Sequence, residues 1–221
     1  MKEMDQNKIR IAKRIAQELE SGMVVNLGVG IPTLIPDFLR DDQGVFLQSE
    51  NGMLGMGPTP PEDEIDMDCI SASKLPVTLE DGASIFSSAD SFVMIRGGHI
   101  DVAVLGALQV SEKGEIANWA VPGKDILGVG GAMDLVPGAK KIIVAITHVT
   151  KDGLPKLVHE LTYPTSGIRC AELIVTEKGV FSVKDGILLL EEIAEGTSIE
   201  EIRESTEATF RVAEHLKQMP V

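Results

Sequence analysis

The chain has 221 residues and sets 20 Lys plus Arg against 34 Asp plus Glu, a formal charge of −14. That balance excludes a basic face for phosphate backbones and attraction to an anionic membrane surface, and an apolar content of 43% excludes general disorder. Six Phe, one Trp and one Tyr leave too few rings for base-stacking platforms, so neither nucleic acid nor membrane is an expected partner.

Residues 7 to 21 read as an amphipathic helix, with Ile11, Ile15 and Leu19 recurring on one face and Gly22 as its stop. Met23 to Leu27 is a short apolar strand that ends in the glycine turn Asn26-Leu-Gly28-Val-Gly30. Pro32 suits the first turn of a new helix, which runs to about Leu39. Strand, glycine turn and helix in that order open a βα unit. A second strand, about Val45 to Gln48, runs into Ser49-Glu50-Asn51-Gly52. Thr59 to Asp68, with Pro60, Pro61 and five acids, reads as an exposed loop.

Ser87 to Arg96 is a helix closed by Gly97-Gly98. Asp101 to Leu105 and Lys141 to Ile146 are buried-strand runs, and between them lies a third glycine turn, Gly128 to Gly131. Further strands are expected near Leu173 to Thr176, Val180 to Val183 and Ile187 to Leu190. A short helix starts at Thr197, where Ser198 and Glu201 fit a capping box. Early alternation of strands and helices predicts an α/β fold, a mixed or mostly parallel sheet between helices, in one domain over 1–221.

Residues 1 to 8 are polar, no secretory apolar segment follows, and no stretch nears ~18 uninterrupted apolar residues, so a cytoplasmic location is expected. Cys69 and Cys170 are far apart and form no CxxC, which suits idle thiols. The four histidines form no HxH or HExxH pattern, so no metal site is expected.

Sites in open α/β sheets lie beyond the carboxyl ends of strands. Glycine makes up 22 of the 221 residues, above the usual ~7%, and much of the excess falls in turns placed there. The first turn is no dinucleotide fingerprint, because Thr33 stands where a third glycine is needed. Glu50 follows a strand directly and precedes Asn51-Gly52, a dipeptide that tolerates positive φ. Such a carboxylate has three readings: a solvated turn residue, a general base, or a nucleophile that forms an acyl intermediate. Surrounding glycines favour the nucleophile, since uncovered backbone N–H groups stabilise an oxyanion.

The run Leu47-Gln-Ser-Glu-Asn-Gly-Met-Leu-Gly55 resembles the signature of family I CoA-transferases in their beta (B) subunit. The likeness spans about residues 7 to 221. It is carried also by Val25 to Thr33, Asp90 to Asp101, Val104 to Val110, Ala117-Asn-Trp119, Pro122-Gly-Lys124 and Gly130 to Leu135. Acetoacetate-using members, the butyrate–acetoacetate and succinyl-CoA:3-ketoacid CoA-transferases, look most similar. The ending Glu214 to Val221 leans toward the former.

The resemblance implies a three-layer αβα sandwich, shared with ribose-5-phosphate isomerase. It implies transfer of CoA between an acyl-CoA (butyryl-, acetyl- or succinyl-CoA) and a carboxylate such as acetoacetate. Glu50 would be the catalytic nucleophile, carrying a glutamyl-CoA thioester in a ping-pong cycle. Asn26 and Gly131 map onto the oxyanion contacts; Gly28, Gly30, Asn51 and Gly52 are site architecture. His99 and Trp119 are read as structural. No cofactor beyond coenzyme A is implied. A separate alpha (A) subunit is implied, in a hetero-oligomer such as α2β2. An acyl-CoA hydrolase of the same fold is the alternative. Cys69 to Lys74 departs from the family pattern and leaves the acyl group open.

Overall fold

In the run from Val102 to Leu105, Val102 and Val104 join one hydrophobic cluster while Ala103 and Leu105 join another. Successive side chains of a strand point to opposite faces, so a strand buried on both sides needs a covering layer on each. In the computed structural model, which describes residues 5–220 apart from 41, 124, 125, 127, 168 and 170, both layers are present. Lys124 and Cys170, named above, lie outside the described residues.

Among the described residues four α-helices are assigned: α1 (Gln6–Ala16), α2 (Ser88–Arg96), α3 (Ala132–Gly138) and α4 (Ile199–Glu204). The first half of the chain supplies β1 (Val24–Leu27), β2 (Phe46–Ser49), β3 (Met53–Met56), β4 (Leu79–Ile85), β5 (Val102–Gly106), β6 (Gln109–Ser111) and β7 (Ile116–Ala117). The second half supplies β8 (Lys141–Ala145), β9 (Leu157–Val158), β10 (Leu173–Val175), β11 (Gly179–Lys184), β12 (Ile187–Ile193) and β13 (Phe210–Gln218). Ten strands form one sheet in the order β13-β12-β11-β10-β8-β5-β1-β2-β3-β4, and β7-β6-β9 form a small second sheet. The central strands β10, β8, β5, β1 and β2 run parallel, with antiparallel pairs β10–β11, β11–β12, β2–β3 and β3–β4 outside them.

Ile11 and Ile15 of α1, with Ile35, cover Val25, Leu47, Val102, Val104 and Ile143 on one face. Ile95 of α2, Leu135 and Val136 of α3 and Ile202 of α4 cover Ala103, Leu105, Ile142, Val144 and Ile174 on the other. This is the three-layer α/β arrangement expected from the alternation of elements. Among the described residues no helix is long and apolar enough to cross a membrane.

Several element boundaries differ from the sequence reading. The first helix ends at Ala16, and Gly22, at φ +84°, belongs to the turn whose N–H reaches the Gly44 carbonyl at 2.8 Å. The segment Ile31–Phe38 is a 3₁₀ helix, and Pro36 within it lacks the N–H that an α-helix would use. The sequence reading missed β3, β4, β6, β7, β9, β13 and α3. β4 (Leu79–Ile85) is almost wholly exposed and lacks alternation; α3 has seven residues and an internal proline. The expected cap at Ser198 is present, its Oγ accepting from the Glu201 N–H at 3.1 Å, and the structure adds one at Ser87, whose Oγ accepts from the Asp90 N–H at 3.1 Å.

Candidate active site

β1 is flanked by β2 on one side and β5 on the other, so the chain reverses its direction of travel across the sheet at β1. The two crossovers leave a crevice beyond the carboxyl ends there. Glycines keep it open. Gly28 donates its N–H to the Val104 carbonyl at 2.8 Å, and an added Cβ would come within 3.1 Å of that oxygen. Gly106, ending β5, lies similarly close to the Val29 carbonyl. The crevice holds a cavity of about 580 Å³, lined by Gly28 to Ile31, Glu50, Gly106 to Leu108 and Gly128 to Ala132.

Glu50 is the first residue after β2, and its direction is set by the turn that follows. Gly52 adopts φ +118° and donates its N–H to the Ser49 carbonyl at 3.0 Å. A Cβ at Gly52 would stand 2.0 Å from the Phe86 carbonyl oxygen, so the turn accepts only glycine. Asn51 points away from the cavity and donates from Nδ2 to the Ile70 carbonyl at 2.7 Å. The turn is thereby fastened at both sides, and Glu50 alone of these residues reaches the cavity.

The Glu50 carboxylate meets the other two glycine-turn elements. Its Oε2 accepts from Asn26 Nδ2 at 3.2 Å. Gly131, at the start of α3, lies beside it: a Cβ added there would stand 3.4 Å from Oε1, so the backbone leaves only enough room for the carboxylate and one further carbon. Asn26, in β1, is fully buried. Its Nδ2 also donates to Gln48 Oε1 at 2.7 Å, and Gln48 Nε2 donates to Ser91 Oγ at 2.7 Å. With acceptors converging on Nδ2, the opposite amide orientation would set oxygen against oxygen. Asn26 Oδ1 consequently lacks a hydrogen-bond partner, a desolvation cost of about 1–3 kcal/mol.

The structure thus brings together Glu50, Asn26, Gly28, Gly30 and Gly131, and leaves Asn51 and Gly52 as turn supports. His99 is exposed beside Gly97 and does not line the cavity. Trp119, read as core packing, instead lines the cavity with its Nε1 tied to the Thr165 carbonyl at 3.0 Å. The departing segment Cys69 to Lys74 reaches the same cavity through Ala72, whose N–H is held by Ser49 Oγ at 2.9 Å. Gln48, Lys8 and Lys156 escaped the sequence reading. Gln48 carried a signal: a polar residue in a strand buried on both faces needs a partner. The two lysines line the cavity from α1 and from the segment before β9, far from any glycine turn.

Chemically, the arrangement sets a carboxylate opposite one amide donor and a row of backbone groups free of side chains. Neutral donors of this kind stabilise a developing oxyanion without a counter-charge.

The chain is similar to known proteins. The family model described as Coenzyme A transferase matches residues 8–205. The chain is 48% identical over 211 residues to the B-type subunit of the probable succinyl-CoA:3-ketoacid coenzyme A transferase of Bacillus subtilis, covering 96% of this chain and 98% of that protein. It is 49% identical to the human mitochondrial succinyl-CoA:3-ketoacid coenzyme A transferase 2, covering 95% of this chain but 41% of the human protein. The chain thus spans about two-fifths of that longer relative. Among solved structures, the acyl-CoA transferase (YdiF) apoenzyme of Escherichia coli O157:H7 superposes with a TM-score of 0.80 at 25% identity, over 99% of this chain and 44% of that one. Motif, fold and identity along most of the chain agree, and the chain belongs to the coenzyme A transferase family.

Proposed function

We propose that this chain is the B-type catalytic subunit of a CoA-transferase that exchanges CoA between an acyl-CoA and a 3-oxoacid or short-chain carboxylate, through a thioester on Glu50. The observation that carries the reading is the Glu50 carboxylate at a strand's carboxyl end, 3.2 Å from Asn26 Nδ2 and beside Gly131.

In the first step a Glu50 oxygen attacks the thioester carbonyl, the C–S bond breaks and CoA leaves as thiolate. The oxyanion formed on the way is stabilised by Asn26 Nδ2 and the Gly131 backbone N–H. The product is a mixed anhydride. Thiolate then attacks Glu50 Cδ, the anhydride C–O bond breaks, and the donor departs as a carboxylate. An acceptor carboxylate attacks the resulting Glu50–CoA thioester, and the two steps run in reverse. Each half-reaction exchanges one activated carbonyl for another. No proton, ATP, metal or cofactor other than the CoA carried is consumed, and kinetics are ping-pong.

The names of the relatives direct the substrate proposal to succinyl-CoA and 3-ketoacids; acetoacetate, a short 3-ketoacid implied by the sequence resemblance, is the acceptor proposed. A second, alpha-type chain completes the assembly. This is supported by the name of the Bacillus relative, which marks it as one subunit of its enzyme, and by the greater length of the human one.

The test is mass spectrometry of the complex with its alpha chain after acyl-CoA is added without acceptor. A CoA adduct on the peptide containing Glu50, lost in Glu50→Gln, is expected. No adduct in the wild type, or turnover that needs no carboxylate acceptor, overturns the reading.

A further inference from the structure

Resting on the CoA-transferase reading of this cavity, we propose that Lys156, assisted by Lys8, forms an anion subsite that holds the pyrophosphate of CoA while its sulfur lies at Glu50. Both lysines line the cavity that Glu50 enters.

Lys156 is half-buried, and its Nζ donates to the neutral Thr147 Oγ1 at 2.7 Å. That hydroxyl in turn donates to the Val149 carbonyl at 3.1 Å, so it is held as an acceptor. Among the described residues no carboxylate lies within ion-pair distance of Lys156. Glu177 acts on it from farther off, and its Oε2 accepts from the His148 N–H at 2.9 Å. Burial and the neighbouring Lys8 both push the Lys156 ammonium below its usual range. A desolvated cation with one neutral partner gains by taking an anion. Lys8, in the first turn of α1, is exposed and has only a loose 3.9 Å pairing with Asp5. Two cations facing one cavity stand out in a chain of charge −14.

The spacing selects the anion. Thr147 lies just past the carboxyl end of β8 and Glu50 just past that of β2, three strand positions apart in the order β8-β5-β1-β2. At ~4.8 Å per strand the separation is about 14 Å. Thirteen bonds join the sulfur of CoA to its first phosphorus, and an extended chain covering ~3.5 Å per three bonds spans about 15 Å. The far carboxylate of a succinyl group lies only three carbons from its reacting carbonyl and falls well short. The glycine-lined floor between the two ends suits a neutral pantetheine arm.

The test compares acyl-CoA with the phosphate-free acyl-pantetheine donor in the complex with the alpha chain. Lys156→Met is expected to raise KM for acyl-CoA about tenfold and to leave KM for acyl-pantetheine unchanged, with kcat retained. Lys156→Arg should restore most of the difference. Lys8→Met, at an exposed position that does not threaten folding, should shift the same selectivity about threefold. Equal effects on both donors, or none on either, overturn the proposal. So does a raised acceptor KM with both donors, which assigns the lysine to a substrate carboxylate. The Glu50 adduct in the wild type is read separately: its presence with unshifted selectivity overturns the lysine assignment alone.

Discussion

Gly52→Ala tests whether the Glu50 turn is held by steric necessity. Two costs follow from the structure. The backbone at Gly52 has φ +118°, a conformation that strains any residue with a Cβ by about 1–2 kcal/mol. The added methyl would also sit 2.0 Å from the Phe86 carbonyl oxygen. Atoms of this kind pack at roughly 3.5 Å, so the turn or the Phe86 segment must yield by over ~1 Å. That segment is pinned in return, because the Phe86 N–H donates to the Gly52 carbonyl at 2.9 Å. Overpacking of this order costs about 1–3 kcal/mol, and the two terms together give about 2–5 kcal/mol. A 1 Å displacement of the carboxylate lowers turnover by about 10². The assay is urea unfolding beside steady-state transfer. Gly186→Ala is the control: it has φ +72° and open space around it, and should show the strain of about 1–2 kcal/mol alone. A Gly52→Ala protein as stable as that control and fully active would refute the steric argument.

Asn26→Ala should lower turnover roughly 10²–10³ while the protein remains folded by circular dichroism, as expected for loss of one oxyanion donor. His148 is fully buried between Thr176 Oγ1 and Thr206 Oγ1, and burial lowers its pKa to about 4. Between about pH 6.5 and 4 the unfolded chain therefore binds a proton that the folded chain refuses. Stability from this group is complete above about pH 6.5 and falls by about 3 kcal/mol as pH drops to 4. An NMR titration of the His148 ring with a midpoint near 6.5 would remove the basis for that slope. Arg14 holds Glu192 through Nε at 2.7 Å and Nη2 at 2.8 Å, with both side chains nearly buried. Arg14→Met should cost about 3–5 kcal/mol, because Glu192 is left unpaired. Adding Glu192→Leu should recover much of the loss in chemical denaturation, and an additive double variant would contradict the pairing.

Legibility followed the physics of each segment. Runs such as Lys141 to Ile146 were readable because strands buried on both faces must be continuously apolar. The Ser198 cap was readable because a side-chain oxygen ahead of a helix satisfies free N–H groups. The edge strand β4, exposed along its length, carries no such pattern. Strands β6, β7 and β9, of two or three residues, are too short to show one.

For the site, the chain by itself marked Glu50 and the glycine turns, since a carboxylate and glycines at strand ends are local features; the family resemblance added Asn26 and Gly131. It also set the net charge, from which a phosphate-binding surface was not expected. Only the tertiary structure decided that the three turns converge on one carboxylate and that Asn51 faces away. It also carried Lys8 and Lys156 into the same cavity from opposite parts of the chain. The reason is the parallel sheet: its crossovers deliver distant residues to one edge, so local charges need not follow the average. A total of −14 describes the sequence, while the pair of lysines belongs to the fold.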